Sequence, residues 1–373
     1  MNLQAHLHET WTYLHGIPEP AFQEKRTSAY LAEQLKAAGY SVSEGLGGTT
    51  GLFALLDSGK PGPTVALRTD MDCLLFKQVD GSLKAIHACG HDAHMSIALG
   101  VAKLLAEQPL TCGRVKILCQ PAEEIGKGAL ALLKAGALDD VDYVLGYHVM
   151  PRNLAQAGQI IPQINWTACT LIEAEIKGLA AHGSQPHLGI NAIDVGASIV
   201  AAVNALHTDP LLGGNVKVTR FLGGSGSLNA ICDKVTLGFD LRSTSNAEML
   251  KLRAQVQDII AATAKVYGAT ATSHIVGTCP AAEADLSLQK LTQGVITQVL
   301  GPQGLLPATS LTIGEDFNFF KQERPQLKTA SLGLGCDLTP GLHDPEMHFE
   351  LSSLEGSILV LERLMREILL QQP

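Results

Sequence analysis

The chain is poor in charge and in aromatic rings: 17% of its 373 residues are Asp, Glu, Lys or Arg, and 5% are Phe, Trp or Tyr. With 46% hydrophobic residues, that scarcity excludes a disordered chain and leaves apolar surface for a large core. Positive charge is the scarcer sign, 27 Lys and Arg against 36 Asp and Glu, for a net charge of −9. Basic residues do not cluster, so neither nucleic acid nor an anionic membrane is expected as a partner. No uncharged run is long enough to span a bilayer, and Asp194 interrupts the best candidate, Leu188 to Leu206. Met1 to Tyr13 lacks the apolar stretch of a signal peptide. A soluble, cytoplasmic protein is the expectation. No CxxC pair occurs among the eight cysteines, and seven are expected to be buried thiols in a reducing compartment. Cys89 is the exception. Internal repeats and low-complexity linkers are missing too.

What the chain has is alternation. Its length suits two domains better than one. A helix is predicted from Gln23 to Ala38, then strands at Leu52–Leu56 and Thr64–Leu67. A helix at His94–Glu107, a strand at Val115–Leu118, a helix at Gly126–Ala135 and a strand at Val141–Val149 follow. Strands alternating with helices predict an α/β fold: a mixed, mostly parallel sheet flanked by helices. After Asn165 the pattern changes. Leu171–Lys177 alternates strictly, and the order to Val276 is strand, helix, strand, strand, helix, strand. That is the split βαβ, ferredoxin-like α+β arrangement. The expected organisation is a catalytic domain from 1–165 and 283–373 interrupted by a small domain at 166–282.

The densest chemical signal is His87-Ala88-Cys89-Gly90-His91-Asp92-Ala93-His94. Thiolate and imidazole are strong ligands for zinc, manganese, cobalt or nickel, and Gly90 permits a tight turn that lets Cys89 and His91 face one point. The rival reading is a helix start capped by Asp92 with incidental histidines. Asp70 and Asp72, beyond the strand at Thr64–Leu67, would share a face if the chain stayed extended. Gln120-Pro121-Ala122-Glu123-Glu124 follows another strand. Adjacent glutamates point different ways, so one could bind metal while the other meets substrate. Either pair could instead be a polar strand exit or a helix start. His148 sits at a strand end, and Gly341-Leu342-His343-Asp344-Pro345 lies near the C-terminus. Each is weak alone, but together they place ligand-bearing residues where open α/β sheets carry their sites. Gly223-Gly224-Ser225-Gly226-Ser227 lacks a phosphate-loop lysine and reads as a hairpin or loop.

With these motifs in order, the sequence resembles the aminoacylase/carboxypeptidase metallopeptidases of clan MH, in the amidohydrolase branch of hippurate and indole-acetyl-amino-acid hydrolases. The resemblance runs from Leu14-His15-Gly16-Ile17-Pro18-Glu19-Pro20 to Leu342-His343-Asp344-Pro345. It implies that Cys89, His91, Glu124, His148 and His343 hold two divalent ions (Zn, Mn, Co or Ni). Glu123 would be the general base, with Asp72 orienting the site. The inserted domain would be a lid and dimerisation domain, giving a homodimer. On it His182 would reach a partner's site, and Asn229 and Arg242 would hold a substrate carboxylate. Three departures occur: Asp70-Met71-Asp72-Cys73-Leu74-Leu75 for the usual DMDALP, Asn229-Ala230-Ile231-Cys232-Asp233 for NVIPD, and Asn191-Ala192 for the usual aspartate-proline. None removes a ligand.

The expected activity is metal-assisted hydrolysis of an N-acyl amino acid or related small amide. One alternative is a dipeptidase or carboxypeptidase using the same site. A second makes Cys89 a nucleophile with His91 as base, and a third is a metal-stabilised binding protein without turnover.

Overall fold

The computed structural model describes residues 2–209, 212–224 and 226–371. The chain divides into two compact units. The first comprises Met1–Asn165, Glu283–Ser310 and Asp316–Pro373, and the second Trp166–Ala282 with Leu311–Glu315. The sequence reading left 311–315 in the first unit. Thr167 ties this segment to the second, donating from its amide to Ile313 O at 3.1 Å and from Oγ1 to Leu311 O at 2.6 Å.

The first unit is built on a seven-stranded sheet, ordered Ser41–Glu44, Leu52–Asp57, Arg114–Gln120, Thr64–Asp70, Tyr143–Pro151, Lys328–Leu338, Ile160–Ile161. Pairing is parallel among the four strands from Arg114–Gln120 to Lys328–Leu338 and antiparallel outside them. Parallel strands must be covered on both faces, and Thr64–Asp70 is buried at every position. Ser41–Glu44, polar and largely exposed, closes one edge. Helix His91–Glu107 is buried without a break from His91 through Ala102. It packs against helices Leu3–His15 and Glu355–Leu369. Leu3–His15 escaped the sequence reading because polar side chains separate its inward residues. Leu3, Leu7, Thr10 and Leu14 form one stripe, and Asn2 Oδ1 caps the helix by accepting from Ala5 N at 3.1 Å.

The second unit carries an antiparallel sheet ordered Asn215–Gly223, Lys234–Ser243, Ala168–Lys177, Thr270–Cys279. Helices Ala192–Asn204 and Asn246–Val266 connect its strands in the order expected of the ferredoxin-like topology. Ala168, Ile172, Ala174 and Ile176 form one buried face, in a common core with Val195, Ile199, Leu252 and Val256. The intervening Cys169, Leu171, Glu173 and Glu175 are more open. Ser225 of the glycine-rich run lies outside the described residues. Among the described residues no helix is long and apolar enough to cross a membrane.

Candidate metal centre

The four parallel strands deliver their C-terminal ends to one edge of the sheet. Asp70 ends the first in sequence, Gln120 the second, His148 lies near the end of the third, and the fourth runs on toward His343. Between Asp72 and His87 the chain makes a short hairpin, Leu74–Lys77 with Leu83–Ile86. It then turns through Cys89 and Gly90 so that His91 opens a helix. Gly90 has φ +84°, and a Cβ there would lie 2.4 Å from Val149 Cγ2. Only glycine satisfies both the left-handed turn and that approach.

This turn brings five side chains together. Cys89 Sγ lies 3.5 Å from His148 Nε2 and 3.4 Å from His343 Nε2. His343 Nε2 is 3.5 Å from Glu124 Oε2, and His91 Nε2 is 3.9 Å from Glu124 Oε1. Bonds of about 2.0–2.3 Å meeting near the tetrahedral angle set two donor atoms roughly 3.3–3.8 Å apart. Two overlapping constellations emerge, Cys89 with His91 and His148, and Cys89 with Glu124 and His343. The decisive atoms are His91 Nε2 and Glu124 Oε1. Both are buried, and neither has a hydrogen-bond partner. Two such orphans cost free energy unless cations accept their lone pairs. The donor set therefore fits divalent metal.

Neighbouring groups fix the ring tautomers that coordination requires. His91 Nδ1 donates to Asp72 O at 2.8 Å and His148 Nδ1 to Val149 O at 2.7 Å, so each ring turns its Nε2 toward the cluster. The Asp72 carboxylate accepts from the amides of Glu123 at 3.0 Å and Glu124 at 3.1 Å. Both glutamates then turn toward His91 rather than apart, Glu123 Oε2 lying 4.0 Å from His91 Nε2. That corrects the expectation of divergent directions. The strand ends at Asp70, so the extended run that Asp70 and Asp72 needed to share a face stops short, yet both carboxylates border His91, at 3.7 Å from Nε2 and 3.6 Å from Nδ1. Asp70 takes His94 Nδ1 at 2.7 Å and Arg68 Nη1 at 2.6 Å, within a buried network that includes Gln120 and Asp316. Gly90, not Asp92, occupies the cap position; Asp92 accepts from Ala93 N at 2.8 Å through one oxygen and from His15 Nδ1 at 2.6 Å through the other.

Burial dominates the electrostatics. It pushes the Cys89 thiol well above its ordinary value, with Glu124 adding to the rise. It raises Glu124, although His91 and His343 oppose it. It holds His148 well below the usual imidazole range, keeping the ring neutral. For His91 burial pulls downward, but the charge of Asp70 and the contact with Asp72 outweigh it. Within the motif His87 is buried with neither ring nitrogen hydrogen-bonded, and burial lowers it to about 4. His94 donates to Asp70 and accepts from Val149 N at 2.9 Å. Of the three motif histidines, only His91 belongs to the Cys89 and Glu124 constellations.

The sequence reading missed Glu24. This buried carboxylate accepts from Phe22 N at 2.9 Å and Ala122 N at 3.0 Å through one oxygen, and from Thr50 Oγ1 through the other. Phe22 and Ala122 have φ +60° and +54°, a conformation that costs non-glycine residues about 1–3 kcal/mol. Glu24 thereby pins the turn that presents Glu123 and Glu124. A glutamate in a polar stretch carries no sequence signal for such a role. His343 is strained as well, at φ +63°, and its amide donates to Ala88 O at 2.7 Å.

The remaining candidates lie in the second unit. His182 is exposed, with Nδ1 2.7 Å from Ser184 Oγ, and Gly183 N donates to Asn229 O at 2.6 Å. Arg242 is clamped by Asp240 at 2.7 and 3.1 Å, with Nη1 donating to Thr312 O at 3.3 Å.

Residues 66–367 match the sequence profile of Peptidase family M20/M25/M40. The chain is 31% identical to "IAA-amino acid hydrolase ILR1-like 4" of Arabidopsis thaliana, over 84% of this chain and 73% of that protein. It is 30% identical to a p-aminobenzoyl-glutamate hydrolase homolog of Haemophilus influenzae, over 95% and 88%. Its fold matches the crystal structure of the Bacillus subtilis YXEP protein, described as a dinuclear metal-binding peptidase of the M20 family. The TM-score is 0.82 at 24% identity, covering 98% of each chain.

Proposed function

The chain belongs to peptidase family M20/M25/M40 and is a hydrolase of C–N amide bonds; from that premise we propose that it cleaves N-acyl amino acids with Glu123 as general base. Cys89, His91, Glu124, His148 and His343 would hold two divalent cations, of zinc, manganese, cobalt or nickel type. When bound, the cations polarise the amide carbonyl and acidify a water. Glu123 takes the water's proton and returns it to the leaving nitrogen. Asp72 keeps both glutamates aimed by accepting their amides. Arg242 and Asn229 are assigned the substrate carboxylate, and His182 the developing oxyanion of a partner subunit's substrate. The second unit then acts as lid and dimerisation domain of a cytoplasmic homodimer.

One observation carries the reading: His91 Nε2 and Glu124 Oε1 lie buried, unpaired and 3.9 Å apart. The Cys89-nucleophile alternative is disfavoured by the same burial, since catalytic thiols have depressed rather than elevated pKa values. The test is a panel of N-acyl amino acids assayed on the apoprotein with Zn, Mn, Co or Ni restored. Turnover should appear only with metal and should require a free substrate carboxylate. Hydrolysis undiminished by chelators would overturn the assignment.

A further inference from the structure

Three of the seven cysteines expected to be buried thiols are only half-buried: Cys112, Cys169 and Cys279. Two of these meet. Cys169, on strand Ala168–Lys177, is the direct cross-strand partner of Cys279, on the antiparallel strand Thr270–Cys279. Directly opposed residues in such a pair have Cα atoms about 4.5–5.5 Å apart, inside the roughly 4.4–6.8 Å that a disulfide spans. Opposed side chains leave the sheet on the same face, so the two thiols are neighbours across the strand pair. This face lies opposite the helices, since Ala168 and Thr170 on either side of Cys169 are buried while Leu171 is 40% exposed. A Cβ at residue 314 would come within 2.7 Å of Cys169 Sγ, and that residue is glycine. Arg242 is the partner of Cys169 on its other side, so one row of the sheet reads Arg242, Cys169, Cys279.

We propose that Cys169 and Cys279 form a modification site, a cross-strand dithiol that exchanges with low-molecular-weight disulfides and closes reversibly to an intramolecular disulfide beside Arg242. The Cys169 thiolate attacks one sulfur of the small disulfide, breaks its S–S bond and releases one thiolate. Cys279 then attacks Cys169 Sγ in the mixed disulfide and releases the second. The two cysteines lose two electrons, the small disulfide gains them, and the two cysteine protons leave on the released thiols.

The surroundings favour Cys169 as the attacking group. The hydrogen bond from Cys279 and the charge of Arg242 bring its thiol down to about 7, against the pull of burial and of Asp240. Burial pushes Cys73 and Cys336 up to about 12, where thiols are inert. Cys112 is equally half-buried, and its thiol donates to Leu369 O at 3.0 Å. It serves as the internal single-thiol control. Closing the disulfide removes a negative charge from beside Arg242.

The test uses the full chain with its divalent cations, native, incubated with oxidised glutathione, quenched with N-ethylmaleimide, digested and mapped by mass. The expected product is a linked Cys169–Cys279 peptide that dithiothreitol returns to two thiols, with Cys112 carrying at most a glutathione adduct. In Cys279→Ser, Cys169 should stop as a stable glutathione mixed disulfide. The proposal is overturned if both cysteines stay alkylated while Cys112 reacts, or if the link appears only in denaturant. Cys279→Ser without glutathione on Cys169, in protein that keeps its wild-type circular dichroism, would equally overturn it. The readout is mass, so this proposal and the amide-hydrolase reading fail separately.

Discussion

The two units hold their chemistry in opposite ways. In the first, Cys89, His91 and His148 are nearly sealed from water, and the Nδ1 atoms of both rings and the amides of Glu123 and Glu124 each have a fixed partner. In the second, His182 and Asn229 sit exposed on loops, and Arg242 is satisfied by its own strand neighbour Asp240. Burial makes an unpaired lone pair expensive, so a buried cluster announces a missing ligand by its orphans. Exposed groups are satisfied by water and announce nothing. The metal centre can therefore be argued from local geometry, whereas the residues proposed to hold substrate have to be tested by kinetics.

The largest expected effect breaks the sealed side of that contrast. Cys89→Ala removes the thiolate common to both constellations, so metal content should collapse and activity should fall to background. Metal analysis of the purified variant checks this. The same thiol sets a pH dependence. Its pKa in the metal-free protein lies well above 9.0 because burial disfavours the charged form. A cation must displace that proton and the one held by the raised His91 ring, so affinity rises with pH, by about tenfold per unit for each proton displaced. Competition with a chromophoric chelator between about pH 6 and 8 measures the slope. A flat profile would remove Cys89 from the ligand set.

Next comes Glu123, the residue proposed as base. Glu123→Gln should retain metal and lose at least about 10²-fold in kcat. Activity equal to wild type would mean the wrong base. Arg242→Ala probes the exposed side: KM for an acyl amino acid should rise about ten- to a hundredfold with kcat less affected, the range of a lost charge-assisted hydrogen bond. A substrate lacking the carboxylate should be indifferent to the change. Equal loss on both substrates would reduce Arg242 to a partner of Asp240.

How much was legible follows the same division. The stretch from His87 to His94 could be read because ligand-type residues are dense there, and the strand-end positions of Glu123, Glu124 and His148 because hydrophobic runs end beside them. The separate fates of Asp70 and Asp72 could not, since identical carboxylates diverge only where the strand stops. Helix Leu3–His15 was hidden by polar residues between its inward side chains. Cys169 and Cys279 are far apart in sequence, and strand register alone makes them neighbours. Glu24 was beyond reach for a similar reason: its partners are backbone amides in left-handed conformations that exist only in the folded chain.

Glu24 gives the smallest effect, through the turn it holds by hydrogen bonds to Phe22 N and Ala122 N. Glu24→Ala leaves the amides of Phe22 and Ala122 without their acceptor, costing about 1–3 kcal/mol of stability. Freed at Ala122, the Glu123–Glu124 turn can drift, which should lower kcat about tenfold. Glu24→Gln keeps an oxygen for both amides, and Thr50 can accept from the new NH2 instead of donating. Activity should therefore stay within about threefold of wild type. Their stabilities should differ in pH dependence too. Burial raises the Glu24 carboxyl above its ordinary 4.5, with Asp72 adding to the rise. A raised folded pKa means that the ionised group is tolerated less well in the fold than in the unfolded chain. Its contribution is intact below pH 4.5 and lost as pH climbs through the raised value. The glutamine variant does not suffer that loss, so its melting temperature should gain on wild type from acid to neutral pH. A difference that shrinks with rising pH would mean that the Glu24 carboxylate is stabilised, not strained, by its three donors.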